Sequence, residues 1–230
     1  MRRLLVAVVV LLLLAVGADR AAVYLVQRNL ASQVQREEKL GRPPAVAVHG
    51  LPFLTQAVRG RYDGATIDMR NLHRDRLPVQ RLTVDLSDAR LPLRTLLSGS
   101  VDAVPVRTVK GNATIAYADL AKATKIAGLR LTPRGDRLEL SLPITQFGAT
   151  LQLVVSARVG VRAGELQITD GQVQGLPLPA SVVDAALSQL SSALPLRHLP
   201  YGLLLTGVRV ASGGLQVSAL AHNVVLRRTA

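Results

Sequence analysis

The feature that most constrains the fold of this chain is a long segment past its middle in which apolar and polar residues alternate. The apolar residues of this segment are Leu151, Leu153, Val155, Ala157, Val159 and Val161. A period of two is typical of an antiparallel strand with one buried face and one solvent-facing side. At about eleven residues the segment is well beyond the usual strand length of ~5–6 residues. It therefore predicts an extended, curved sheet rather than a small closed barrel.

Shorter alternating segments at residues 82–86 and 138–142 predict further strands of the same kind. Several neighbouring strands are joined by short glycine-containing connections at residues 132–137, 162–165 and 211–214. Glycine supplies the positive φ that a short hairpin loop requires. We therefore expect antiparallel hairpins, the last of which is predicted between Leu203 and Leu226.

The N-terminal segment has two arginines after Met1 and then an uninterrupted apolar run, Leu4–Ala18. As a helix this run would span about 22 Å at ~1.5 Å per residue, which is less than the ~30 Å hydrocarbon core of a bilayer. A basic start, a short apolar core and small residues at its end are typical of a secretory signal peptide. Residues 1–18 are therefore predicted to be a signal peptide. The alternative is an uncleaved membrane anchor that continues through residues 21–26.

Three helices are predicted after the leader. Residues 19–40 carry an apolar stripe at spacings of three and four, formed by Val23, Val26, Leu30 and Val34. The other two helices are predicted at Tyr117–Ala127 and at Ser181–Leu194, the latter with Ser181 as its N-cap. No Gly/Ser/Pro-rich linker divides the chain, so residues 19–230 are expected to form a single α+β domain with the helix 19–40 packed on it.

Several reaction classes lack their usual residues in this chain. Cysteine is absent, which excludes disulfides, thiolate catalysis and cysteine-ligated metals. The nucleophile elbow, the zinc-protease motif and the P-loop are also absent. The histidines are scattered without metal-ligand spacing, at His49, His73, His198 and His222. We therefore predict no catalytic residue, no metal and no cofactor.

The net charge of +13 predicts attraction to an anionic partner, either nucleic acid or anionic lipid. Nucleic acid is disfavoured, because no recognition motif or aromatic platform is visible and the leader argues for export. Basic residues are dense between residues 59 and 81, at Arg59, Arg61, Arg70, Arg74, Arg76 and Arg81. This cluster is either an ordinary solvated face or a docking surface for anionic head groups. The candidate head-group contacts are Arg59, Arg61 and Arg70.

The aliphatic side chains of the alternating strands and amphipathic helices can form an ordinary core or line a cavity for acyl chains. Periodicity alone does not separate these alternatives, although it favours a packed core. The candidate apolar lining residues are Phe53, Leu54, Leu151, Leu153, Val155, Val183 and Leu187.

Residues 50–64 stand apart, with an aromatic pair and basic residues in a frame of glycines and one proline. No base, acid or metal ligand elsewhere completes an active site with them. We interpret the segment as a structural elbow that turns the chain from helix into sheet. In this interpretation Phe53 and Leu54 enter the apolar interior, and Arg59 and Arg61 lie at the rim.

The same elbow carries a family resemblance. Its matching residues are Gly50, Pro52, Phe53, Leu54, Thr55, Gln56, Gly60, Arg61 and Tyr62. Together with the leader, the helix and the later hairpins, they resemble the LmeA-like phospholipid-binding proteins of actinobacterial cell envelopes. The resemblance implies a curved antiparallel sheet wrapped around amphipathic helices, similar to tubular lipid-binding modules. It also implies anionic phospholipid of the phosphatidylinositol type as ligand, and a supporting role in mannan elongation on lipoglycans.

The resulting hypothesis is an exported, non-catalytic phospholipid-binding protein of the cell envelope or periplasmic space, peripheral to or anchored in the plasma membrane. One alternative is an accessory protein that docks on a membrane glycosyltransferase without carrying lipid. The second alternative is an envelope hydrolase, which would require a convergent catalytic constellation that the sequence does not display.

Overall fold

The structure, a computed structural model, describes residues 2–38, 40–74, 77–92, 103–146, 149–174, 179–194, 196 and 199–227. Within these ranges the chain is α+β, as expected, with four α-helices and ten strands. The helices are α1 (Arg2–Glu37), α2 (Phe53–Arg59), α3 (Tyr117–Ala123) and α4 (Ala180–Ala193). The strands are β1 (Ala45–His49), β2 (Arg61–Arg74), β3 (Leu77–Arg90), β4 (Ala103–Ile115), β5 (Arg130–Arg134), β6 (Arg137–Gln146), β7 (Ala149–Arg162), β8 (Glu165–Gln174), β9 (Leu204–Ala211) and β10 (Gly214–Arg227).

The strands form two sheets. The larger has the order β1-β2-β3-β4-β10-β9, and the smaller is the meander β5-β6-β7-β8. The long strand predicted from the alternating segment is confirmed as β7, which is 14 residues long. The three short connections are confirmed as hairpin turns, at Gly135–Asp136, Ala163–Gly164 and Ser212–Gly213.

Helix α1 is a single uninterrupted helix of 36 residues. The sequence predicts a signal peptide at residues 1–18, or an anchor that continues through residues 21–26, and an amphipathic helix over residues 19–40. In the structure one helix includes both segments. The helix is long and apolar enough to cross a membrane, and it lies near the N-terminus, where a signal sequence would pass the same test. The apolar side chains of its first half are exposed.

The chain divides into two units. The first unit consists of Met1–Met69, Val84–Val109 and His222–Ala230. In it, β1 pairs antiparallel with β2, from Ala45 opposite Asp68 to His49 opposite Gly64, and α2 connects the two strands. Strand β1 and helix α2 were not expected from the sequence, which predicts a direct turn from the first helix into sheet.

The second unit consists of Arg70–Thr83 and Lys110–Ala221. Its core gathers aliphatic side chains from β6, β7, β8, β9 and β10 and from α3 and α4. Leu120, Leu138, Ala157 and Leu215 are at most 1% exposed. Helix α4 packs on β8, and its apolar stripe, predicted from the sequence, faces this core.

Two helix ends differ from the predicted ones. Helix α3 stops at Ala123 rather than Ala127, because the Thr124 hydroxyl donates a hydrogen bond of 2.7 Å to the Ala121 carbonyl and Lys125 then adopts a positive φ. Helix α4 has Pro179 at its N-cap with no side-chain cap, so the prediction that Ser181 caps it is wrong.

Candidate functional site

The elbow at residues 50–64 folds as a short helix held between two strands. Gln56 of α2 is buried, and its side chain joins both strands. The Gln56 Oε1 atom accepts a hydrogen bond of 2.9 Å from the Asp63 backbone, and Nε2 donates to the His49 carbonyl at 3.4 Å. Gly50 has a φ of +87°, which residues with a Cβ rarely adopt, and a Cβ there would displace the Asp63 carboxylate and the Gln56 amide. The elbow residues that carry the family resemblance therefore include several with a structural task.

An aromatic cluster fastens α2 to α1. Phe53 is 3% exposed and lies with its ring centroid 5.8 Å from that of Tyr62. Ala57 completes the buried cluster, and α1 contributes Val23 and Val26 at its edge. The expectation that Phe53 enters the apolar interior is confirmed for this cluster.

A polar link to α1 lies beside the aromatic cluster. Asp19, in the middle of α1, is 5% exposed, and its Oδ1 atom accepts a hydrogen bond of 2.8 Å from the Leu54 backbone N–H. Its Oδ2 atom lies 3.0 Å from the guanidinium of Arg20. A buried carboxylate is tolerated only with such partners. Asp19 therefore fixes the N-terminal turn of α2 to one point on α1.

The outer face of α2 is apolar and exposed. Leu54 and Val58 are four residues apart and so lie on one face of the helix. Leu54 is 41% exposed and Val58 is 77% exposed, and Leu51 before the helix is 70% exposed. The expectation that the Leu54 side chain enters the interior is therefore wrong. The position preceding it, Phe53, points inward because the two residues are about 100° apart around the helix.

The three arginines proposed to contact head groups fall in different units. Arg59 and Arg61 flank Gly60 in the first unit and are both exposed. Arg70 is exposed and belongs to the second unit. None of the three forms an ion pair with another residue that the structure describes. The side chains of Arg74 and Arg76 lie outside the described residues.

Three of the candidate lining residues meet in the second unit at Gly171 of β8. A Cβ placed on Gly171 would lie 2.6 Å from both Val183 Cγ1 and Leu187 Cδ1 of α4, and 3.5 Å from Val155 Cγ1 of β7. Val183 and Leu187 are buried, so they pack as core. Leu153 is half-buried, and Leu151 lies in β7 with its side chain outside the described residues.

A small cleft of about 210 Å³ lies in the first unit, where β3, β4 and β10 run side by side. Its lining residues are Asp88, Arg90, Pro105, Val106, Arg107, Asn223, Val224 and Val225. The Arg107 Nε atom is 3.0 Å from Asp88 Oδ2, while Arg90 has no ion pair with any other described residue. Asp88 and Asn223 both have positive φ, at 52° and 53°. The cleft thus combines a valine-lined wall with the guanidinium groups of Arg90 and Arg107 and the carboxylate of Asp88.

Sequence reasoning did not find this cleft. Its residues come from three strands that are distant in the chain, and the pairing of β4 with β10 is not encoded in local periodicity. The local signal for it is a pair of polar residues, Asp88 and Asn223, at positions where the alternation of their strands would place an apolar residue. Asp and Asn tolerate positive φ better than most residues, so they indicate an irregularity in each strand.

Titratable groups give no sign of a reaction centre in the parts that the structure covers. Burial raises the pKa of Tyr62, whose hydroxyl has no hydrogen-bond partner among the described residues. Burial also raises the pKa of Tyr117, although its hydrogen bond with Ala211 acts in the opposite direction. Among the described residues, no group of three His, Asp or Glu side chains could hold a metal ion.

Comparison with known proteins gives one match. A family model described as LmeA-like phospholipid-binding matches residues 17–219. No curated protein and no solved structure matches the chain. The matched range begins within the first half of α1 and ends within β10, so it takes in both units.

Proposed function

Because the chain belongs to the LmeA-like phospholipid-binding family, we propose that it is an exported, non-catalytic protein that binds anionic phospholipid at the membrane of the cell envelope. We further propose that it supports lipoglycan elongation by presenting lipid rather than by transferring sugar. Phosphatidylinositol-type lipid is the ligand that we expect it to favour.

The observation that carries this proposal is the difference in exposure between the two halves of α1. The apolar side chains between Leu4 and Val16 are about half to three-quarters exposed, whereas Val23 and Val26 pack on the aromatic cluster of the first unit. An exposed apolar helical segment of this kind is stable in a bilayer and costly in water. We therefore favour a membrane anchor that ends near Val16, rather than one that continues through residues 21–26, over the cleaved signal peptide. Its length of about 22 Å is less than a ~30 Å hydrocarbon core, and a bilayer accommodates such a mismatch by local thinning.

The cleft in the first unit supports head-group binding without enclosure of a whole lipid. Its volume of about 210 Å³ is below the ~300–1,000 Å³ of pockets that bury a drug-sized ligand. A phosphate with part of its glycerol or inositol substituent fits this volume, and two acyl chains do not. In this proposal Arg90 and Arg107 contact the phosphate while the acyl chains stay in the bilayer.

A vesicle co-flotation assay on protein lacking residues 1–18 tests the proposal, since that truncation removes the anchor and leaves binding to the folded part. We expect flotation with vesicles that contain phosphatidylinositol and little or none with phosphatidylcholine alone. Loss of one basic contact near a membrane surface weakens partitioning by about fivefold, from ~1 kcal/mol per residue. Arg90→Gln should have an effect of this size.

The matched control is Arg130→Gln, an exposed arginine on β5 in the second unit. Circular dichroism of each variant establishes that it is folded. Equal flotation with phosphatidylinositol and phosphatidylcholine vesicles would contradict the preference for anionic lipid. If native mass spectrometry of the purified protein detects no bound lipid, the accessory-protein alternative is favoured.

A further inference from the structure

The exposed apolar face of α2 lies at the level where the apolar half of α1 ends. We propose that this face is a membrane-insertion site: Leu51, Leu54 and Val58 enter the interfacial layer of an anionic bilayer, with Arg59 and Arg61 at its phosphates. The inference rests on the proposed function, in which α1 is held in the membrane, and it adds a second point of membrane contact.

The hydrogen bond between Asp19 and Leu54 sets the position of α2 relative to the bilayer surface. Val16 is the last exposed large apolar residue of the run that begins at Leu4, and it is three residues before Asp19. At ~1.5 Å per residue, Val16 is only about 4.5 Å along the helix axis from Asp19. The Leu54 nitrogen is 2.8 Å from the Asp19 carboxylate. A bilayer that covers α1 as far as Val16 therefore has its surface within a few ångströms of the start of α2.

The side chains around this point have the chemistry of an interfacial site. Leu54 and Val58 share the outer face of α2, while Phe53, Gln56 and Ala57 on the other face are buried. Exposed aliphatic residues flanked by basic ones are typical of segments that lie in the membrane interface. Arg59 ends the helix, Arg61 follows after Gly60, and both are exposed. Continuity with the exposed apolar half of α1 favours a lipid bilayer as the occupant over a protein partner.

Tryptophan fluorescence tests the site directly, because the chain contains no tryptophan. The variants Leu54→Trp and Val58→Trp place single reporters on the exposed face of α2. Thr132→Trp is the matched control, at an exposed polar position of β5. The full-length protein is reconstituted into vesicles of phosphatidylcholine alone or mixed with phosphatidylglycerol, with lipids brominated near the acyl carbonyls as quenchers.

We expect blue-shifted emission and strong quenching by the brominated lipids at both α2 positions, and solvent-like emission without quenching at Thr132→Trp. The blue shift should grow when phosphatidylglycerol is added, and Arg59→Gln with Arg61→Gln should remove that increment. Two reporters are used so that a folding defect in one does not decide the result.

The outcomes separate this inference from the proposed function. If the protein co-floats with vesicles while both α2 reporters remain solvent-like, the insertion site is wrong and membrane association through α1 stands. If the full-length protein does not associate with vesicles at all, the proposed function fails and the insertion site fails with it. If both reporters show blue-shifted emission but brominated lipids do not quench it, they are shielded by protein rather than by lipid. That result also overturns the inference.

Discussion

The carboxylate of Asp19 and the backbone N–H of Leu54 are joined by a 2.8 Å hydrogen bond across 35 residues of sequence. The bond connects the long N-terminal helix to the first turn of a helix that has no side-chain cap of its own. Asp19 thus performs from a distance the task that a Ser, Thr or Asp at an N-cap usually performs locally.

Replacement of Asp19 by alanine should lower the free energy of unfolding by about 1–2 kcal/mol, because the Leu54 N–H loses its acceptor inside the protein. Chemical denaturation followed by circular dichroism measures the change. Arg20→Gln is the control. It should lower the free energy of unfolding much less, since the Arg20 side chain is 53% exposed and exposed ion pairs contribute ~0–1 kcal/mol. Equal stability of Asp19→Ala and the parent would show that the link is not needed.

Phe53 and Leu54 provide a matched pair of neighbours with opposite environments. Phe53→Asp should abolish folding or lower stability severely, because it places an unpaired charge in the aromatic cluster. Leu54→Asp should leave the thermal unfolding midpoint nearly unchanged, because the side chain is exposed. Thermal unfolding of both variants checks the contrast, and a normal midpoint for Phe53→Asp would place Phe53 outside the core.

Gly171 should tolerate no side chain while α4 keeps its position on β8. Gly171→Ala puts a methyl group 2.6 Å from Val183 and Leu187, and overpacking of this kind costs about 1–3 kcal/mol. Gly160→Ala is the control in β7, where a Cβ meets nothing within 4 Å. Combining Gly171→Ala with Leu187→Ala should recover part of the loss caused by the clash. The absence of recovery in that double variant would mean that the clash is not with α4.

Two buried tyrosines should respond differently to the loss of the hydroxyl. The Tyr117 hydroxyl donates to the Ala211 carbonyl at 2.7 Å and accepts from the Ala211 N–H at 3.1 Å. Tyr117→Phe leaves both backbone groups without this partner and should cost about 1–3 kcal/mol. Tyr62→Phe should be neutral or stabilising, because its hydroxyl has no partner among the described residues. A loss of stability in Tyr62→Phe would indicate a hydrogen bond through an ordered water.

The raised pKa values of Tyr62 and Tyr117 predict a loss of stability in strong alkali. A tyrosine with a folded-state pKa above its ordinary value of 10.0 stays neutral in the folded state while the unfolded chain ionises. Its contribution is therefore full below about pH 10 and declines as the pH rises above it. The unfolding midpoint measured across this range should fall less steeply in Tyr62→Phe. An identical slope in the variant and the parent would contradict the role of Tyr62.

The strand pattern and the hairpins followed from the sequence because they depend on local chemistry. A period of two predicts a strand wherever one face is buried, and Gly135 and Gly164 supply the positive φ of their turns. The sequence places Asp19 at the boundary between the leader and the helix over residues 19–40, and in the structure one helix runs through both segments. The charge is accommodated by a partner 35 residues away, and periodicity does not reveal such a partner.

The candidate site was less accessible to sequence reasoning than the fold. Helix α2 is only seven residues long, although the spacing of Phe53, Gln56 and Ala57 would have indicated it. The assignment of Leu54 to the interior failed because the segment was treated as an extended elbow, in which neighbouring side chains were not assigned to helix faces. The cleft beside Arg90 depends on strand pairing across more than a hundred residues, which no local pattern encodes.

The continuity of α1 also bears on how such a protein would search for its ligand. Residues 2–37 contain no proline, which is the commonest cause of a sharp helix kink. A domain on a flexible tether explores all orientations, and its local ligand concentration depends on the length of the linker. With the apolar half of α1 in a bilayer, the first unit has no such tether and presents the same face to the lipids throughout. The first unit then meets head groups by a two-dimensional search within one leaflet. The rate of that search depends on lateral diffusion rather than on reorientation of the unit.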